Sequence, residues 1–252
     1  MNPDRTVLTD AMWARVEPIL PGKATDPGVT AANNRQFLEA VLWRIRTGSP
    51  CRDLPSDFGK WNSVFKRFRR WALSGTFERV YNELSDEFDF EYVFVDGTSV
   101  STHQKAAGAR GGPANQGIGR SRGGLTSKIV AVADALGYLV RFVILPGQAH
   151  DLAGVAELLE DLPFEVLIGD KAFDADWLLG ELEGRGAEAV IPARKNRTDT
   201  RDHDREMYKW RHQIENLFAR LKEFRAVATR YDKTDASFAA AIHLVAGVVA
   251  AT

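Results

Sequence analysis

From residue 10 to about residue 90 the apolar positions recur at helical spacing. Phe37, Leu38, Val41, Leu42 and Ile45 fall on one face of a segment that stops at Gly48. A connector punctuated by Pro50 and Pro55 leads to a second amphipathic segment starting near Lys60. There Trp61, Phe65, Phe68 and Ala72 share one face, while Lys66, Arg67, Arg69 and Arg70 lie mostly elsewhere.

Beyond Glu91 the pattern changes to short runs of branched and aromatic residues. Residues 92–95, 127–133, 138–145 and 165–168 read as strands, and a helix over 152–162 separates the third from the fourth. A helix over about 175–185, a fifth strand at 187–191 and a long helix over about 202–224 follow. This order predicts an α/β fold, a ribonuclease H-like mixed sheet flanked by helices. Ahead of it stands an all-helical domain whose helix, short connector and basic helix are similar to a helix-turn-helix. The bland alternative is a helical bundle with a solvated, Arg-rich face. The expected boundaries are 1–90 for a helical DNA-binding domain, 91–235 for the catalytic domain and 236–252 for a C-terminal packing helix.

The 252 residues are 44% apolar, enough for one or two domains with substantial cores. A net charge of −1 excludes a global field for nucleic acid, so any such signal is local. Two stretches carry it. Residues 60–79 hold six basic side chains against Glu78 alone, and residues 97–133 hold five and no carboxylate. In the second stretch Arg120, Arg122 and Lys128 are candidate DNA contacts, and residues 103–124, rich in glycine, read as a mobile arm that follows phosphates. A lone cysteine, Cys51, argues for a reducing compartment and against a thiolate zinc site. The polar N-terminus lacks the apolar core of a signal peptide. The run 237–251 is too short to span a bilayer, so no membrane partner is expected and a cytoplasmic location is.

Asp96 ends the first apolar strand and Asp170 the fourth, placing both at the sheet edge where open α/β sheets bind ligands. Taken singly, an aspartate beside glycine is more often a turn or cap residue. In the final helix Tyr208, Arg211, Glu215 and Lys222 fall within an arc of roughly 60°, given about 100° per residue. Trp210, Ile214, Leu217, Leu221 and Phe224 form a roughly opposite apolar stripe that must face the core. By itself Glu215 is equally a solvated partner of Arg211. Together the three acids suit two divalent ions, Mg²⁺ with Mn²⁺ as a substitute, because these hard ions take oxygen ligands and leave positions for phosphate. Asp151 and Asp174 read as helix caps, with Asp174 a reserve ligand and His150 packing beside the site.

Tyr208, Arg211, Glu215 and Lys222 match Y-x2-R-x3-E-x6-K without a gap, which resembles the C-terminal motif of bacterial insertion-sequence DDE transposases. Asp96-Gly-Thr-Ser and Gly169-Asp-Lys-Ala-Phe-Asp174 are similar to that family's first and second acid motifs. Residues 119–124, 147–151 and 52–71 extend the likeness over nearly the whole chain. The resemblance implies two-metal cleavage and joining of duplex DNA at terminal inverted repeats, and insertion into target DNA, by a homodimer or higher assembly on the bacterial nucleoid. It carries over Asp96, Asp170 and Glu215 as metal ligands, Arg211 and Lys222 as contacts near the cleaved ends, and Tyr208 as a packing or base-contacting residue. About two dozen residues separate the fifth strand from Glu215, which leaves no room for the insertion domain on which larger relatives rely for hairpin formation. Two further readings stand beside this one: a DNA-binding regulator with an idle site, and a nuclease of the same fold that cleaves without joining.

Overall fold

The computed structural model describes residues 6–27, 30–85, 87–197 and 201–252. Helices α1 (Asp10–Val16), α2 (Asn34–Thr47), α3 (Trp61–Leu73) and α4 (Thr76–Leu84) come first. Strands β1 (Tyr92–Thr102), β2 (Gly119–Ser121), β3 (Gly124–Asp134) and β4 (Leu139–Pro146) follow, then α5 (Val155–Leu159), β5 (Val166–Gly169), α6 (Asp176–Arg185) and β6 (Glu188–Val190). The chain closes with α7 (Arg205–Lys209), α8 (His212–Lys222), α9 (Arg225–Ala228), β7 (Thr229–Arg230) and α10 (Asp235–Ala250). Contacts group these elements into two compact units, one formed by residues 1–86, 102–110 and 221–252, the other by 87–101 and 111–220.

The helical unit is built on short-range rules. Asn33 caps α2 by accepting from the Gln36 amide at 2.8 Å, and Gly48 ends it in the left-handed conformation that glycine adopts without a Cβ clash. The apolar face of α2 packs on α3, with Phe37 edge-on to Trp71 at 4.8 Å. Helix α10, capped by Thr234, is buried along most of its length against α4, α3 and α9. The C-terminal segment is therefore part of the helical core. The connector from α2 to α3 takes thirteen residues and contains two 3-10 turns, at Cys51–Asp53 and Ser56–Phe58, where the sequence pattern predicts a short link. Only Ser74 and Gly75 separate α3 from α4.

In the sheet unit, β3 pairs antiparallel with both β1 and β4, whereas β1 and β5, and then β5 and β6, run parallel. The spatial order is thus β4-β3-β1-β5-β6, with the first strand central, two antiparallel strands on one side and two parallel strands on the other, and the short β2 also pairs antiparallel with the start of β3. This is the ribonuclease H-like mixed sheet that the order of elements predicts. Val93, Val95, Val130, Val132 and Leu167 face Leu158, Leu159, Leu178 and Leu182 of α5 and α6 in one apolar core. The alternate residues of β1 point the other way: Tyr92 meets Trp210 edge-on at 5.1 Å, and Asp96, four residues on, meets Arg211.

Three expectations are revised. Strand β1 runs on to Thr102, so Asp96 lies mid-strand at the level where β5 stops. Residues 103–124 are ordered into 3-10 turns at Gln104–Ala107 and Ala114–Gln116 and the β2–β3 hairpin, not an open arm. Gly119, in β2, is held so closely against the end of β4 that a Cβ there would lie 1.7 Å from Gln148 Oε1 and 2.9 Å from Pro146 Cβ. The long final helix is two helices. The Trp210 and Arg211 amides bond three residues back, to Met207 and Tyr208, and break the helical ladder between α7 and α8.

Candidate active site

Val95 of β1 and Gly169 of β5 are in register across a parallel pair, and each is followed by an aspartate. Asp96 and Asp170 therefore project from neighbouring strands, about 4.8 Å apart at the backbone. Asp170 Oδ1 accepts from the Ala172 amide at 2.7 Å and caps the 3-10 turn Lys171–Phe173, which fixes its carboxylate over the end of β5. Asp96 Oδ1 accepts from its neighbouring Gly97 amide at 2.7 Å.

The third acid arrives from α8. Arg211 Nη1 donates to Asp96 Oδ2 at 2.8 Å, and its Nη2 donates to Glu215 Oε1, so one guanidinium bridges the two carboxylates. The structure thus brings together Asp96, Asp170, Arg211 and Glu215. Burial pushes the Asp96 carboxyl above its ordinary range. The Gly97 amide and Arg211 oppose the rise, and the nearby Asp170 charge adds to it. Burial acts against the Arg211 charge, yet Asp96, Glu215, Tyr208 and Asp170 hold its pKa above the usual arginine value. Among the described residues, no three His, Cys, Asp or Glu side chains converge as a ready metal cage. Asp96 and Glu215 are both turned to Arg211, while Asp170 stands beside Asp96.

The break between α7 and α8 corrects the single polar stripe: Tyr208 belongs to α7, edge-on to His203, while Arg211 sits at the junction. The apolar stripe holds for the buried Ile214, Leu217 and Leu221, but Trp210, edge-on to Tyr92, is 41% exposed. Lys222 ends α8, half-buried, and burial lowers its pKa. Lys66, Arg69, Arg70, Arg120 and Arg122 are exposed. Arg67 and Lys128 are instead engaged within the fold. Arg67 lies over the rings of Phe37 and Trp71 and donates to Asn34, and Lys128 pairs with Asp151 at 2.6 Å and donates to the Ala149 carbonyl.

Two acids read as caps have other partners. Asp174 has a fully buried side chain that accepts from the Arg194 amide at 2.8 Å and from the guanidinium groups of Arg197 and Arg201 at 2.8 and 2.9 Å. These donors prevail over burial and hold its pKa below the usual value. Arg194 itself donates to the carbonyls of Lys171 and Ala172, clamping the turn that Asp170 caps. Sequence reasoning missed this clamp, and its only local signal was the density of arginine downstream. Asp151 packs against Gly97 so tightly that a Cβ there would lie 2.8 Å from Asp151 Oδ1. His150 is exposed rather than packed.

A family model described as the transposase DDE domain matches residues 88–249, and one for transposases of the IS4/5 family matches residues 8–81. The chain is 39% identical over 103 residues to the uncharacterized protein y4sN of Sinorhizobium fredii, covering 41% of this chain and 82% of that protein. It is 35% identical over 127 residues to a Brucella ovis protein named as a transposase for insertion sequence element IS6501, covering 50% of this chain and 98% of the relative. Among solved structures, a piggyBac transposase synaptic complex with hairpin DNA aligns at TM-score 0.49 and 12% identity, over 96% of this chain and 70% of that one. Since the DDE-domain match spans well over half of the chain, this protein belongs to the transposase DDE family, in its bacterial IS4/5 branch, and is a DNA transposase.

Proposed function

We propose that Asp96, Asp170 and Glu215 are the catalytic carboxylates of this DNA-cleaving and DNA-joining enzyme, and that they hold two Mg²⁺ ions, for which Mn²⁺ substitutes. The observation that carries the reading is the register of Val95 with Gly169, which sets Asp96 beside Asp170, together with the Arg211 bridge from Asp96 to Glu215. A divalent ion fits the donor set. Two oxygen-bearing groups lie side by side, one of them destabilised as an anion by burial and by its neighbour, and a cation relieves both costs. Glu215 joins them when its ion pair with Arg211 opens. Held by these carboxylates, the ions would activate the attacking oxygen and stabilise the leaving one.

The chain's own residues do the rest. Arg211, released from Glu215, is placed to bind the phosphate under attack, and Asp170, pinned by the Ala172 amide, keeps its carboxylate oriented without it. Lys222 and Tyr208 contact the DNA near the cleaved ends. Exposed Lys66, Arg69, Arg70, Arg120 and Arg122 track phosphates of duplex DNA bearing terminal inverted repeats and of target DNA. Two ends must be joined, so the working assembly is a homodimer or larger on DNA. Among the described residues, no helix is long and apolar enough to cross a membrane.

The test is cleavage and joining of a labelled duplex carrying the element's ends, in Mg²⁺ and in Mn²⁺, beside the Glu215→Ala variant. Joined products with the parent chain and none with the variant are expected. Specific binding without cleavage in either metal would return the acids to a structural role.

A further inference from the structure

The helical unit contains a cavity of about 820 Å³ whose lining comes from three distant stretches of chain: the end of α2 with α3, residues 103–110, and residues 231–237. Its charge is one-sided. Arg44, Arg69, Lys105, Arg110 and Lys233 line it against one carboxylate, Asp232, and that carboxylate is already paired with Arg44 at 2.7 Å. In a chain of net charge −1, this is a local concentration of positive potential. The wall also holds an aromatic platform, in which Tyr231 stacks on His103 with ring centres 4.9 Å apart and planes 25° from parallel, while remaining 41% exposed.

The buried ion pair is unfinished. The Asp232 side chain is only 7% exposed, yet its Oδ2 and the Arg44 Nη1 have no hydrogen-bond partner among the described residues. One unspent donor and one unspent acceptor on a single ion pair match the edge of a nucleobase, which presents acceptor beside donor. Cations for phosphate, a free ring face for stacking and a polar edge to complete are the three things an unpaired nucleotide offers partners for. A volume within the roughly 300–1,000 Å³ of small-molecule sites admits a nucleotide and excludes an intact duplex.

We propose that this cavity binds an unpaired nucleotide of single-stranded DNA. The base lies on Tyr231, its phosphates meet Lys105, Arg110, Lys233 and Arg69, and its polar edge reaches the Arg44–Asp232 pair after a small rotation of those side chains. The inference rests on the family assignment alone and is independent of the catalytic acids, so it is tested by binding, without metal and without turnover. Fluorescence anisotropy with a short labelled single strand, and separately with a duplex of the same sequence, is measured for the full chain and three variants. Tyr231→Ala lowers single-strand affinity about tenfold, as loss of one stacked base does, while Tyr231→Phe, which keeps the ring, retains it. Lys105→Ala with Lys233→Ala lowers the salt slope of single-strand binding by about 1.4, or about 0.7 per phosphate neutralised. Duplex affinity is unchanged in all three. The lone cysteine, Cys51, lines the cavity, and its modification by a small maleimide at mildly alkaline pH is slowed by saturating single strand. Single-strand affinity that survives Tyr231→Ala, parallel losses on duplex and single strand, or a Cys51 rate indifferent to the oligonucleotide would each overturn the assignment.

Discussion

The acidic site at Asp96 and the cavity beside Arg44 use the same chemistry with opposite signs. At the acidic site, where β5 stops beside the central strand, one guanidinium, Arg211, is shared between Asp96 and Glu215 while Asp170 stands alongside, so negative charge is in excess. At the cavity one carboxylate, Asp232, faces five cationic side chains. The first suits a cation as its ligand and the second an anion. A near-zero net charge conceals both, because what decides binding is how charge is segregated in space rather than its sum.

Removing the acids has the largest expected effect. Replacing Asp96, Asp170 or Glu215 with Ala is expected to cut joining by about 10³-fold or more, since each removes a carboxylate proposed to hold the ions. Specific DNA binding by the same variants stays intact, and a variant that still joins DNA drops out of the triad.

A different acid, Asp174, separates placement from chemistry. Asp174→Asn should lower stability by about 3 kcal/mol, the low end for breaking a buried ion pair, because Arg197 and Arg201 are partly exposed and can return to water. Chemical denaturation measures it, and an unchanged midpoint would show that Asp174 is dispensable to the clamp on residues 171–173.

His243 of α10 tests the helical unit by pH. Burial pushes its pKa down to about 4, below the ordinary value of an unfolded histidine. The unfolded chain then binds the proton more readily, so stability is intact above about pH 6.5 and is lost as pH falls towards 4, by about 2 kcal/mol after discount for residual exposure. Thermal midpoints of the parent and of His243→Leu should converge in that window, and parallel curves would rule it out. The smallest effect is expected from Lys66→Ala, Arg69→Ala and Arg70→Ala combined, which lower the salt slope of duplex binding by about 0.9 for each phosphate they no longer neutralise. Adding Arg67→Ala should change the slope little, because Arg67 is spent on Phe37, Trp71 and Asn34.

What the sequence made legible was whatever local rules decide. Val-Phe-Val before Asp96 and Val-Leu-Ile-Gly before Asp170 mark buried strands, and two strands in parallel register bring the residues after them together. The Arg211–Glu215 pair follows from four-residue spacing and survives the helix break. Less legible were features set by distant partners. Asp174 resembles a cap until Arg194, Arg197 and Arg201, twenty or more residues on, fold back to it. The break at Trp210 was invisible because a turn closed three residues back preserves nearly the same face as one closed four back. The cavity draws on three stretches with no shared periodicity.

That break also sets where the chain can absorb change in length. An added residue between Arg201 and Arg205, beyond the arginines that hold Asp174, costs an amount that grows only slowly with length and leaves α8 as it is. The same residue added between His212 and Glu215 rotates the acid by about 100° and takes it away from Arg211. Homologous chains should therefore vary in length just ahead of α7, and keep the residues matching Arg211 and Glu215 a fixed four apart.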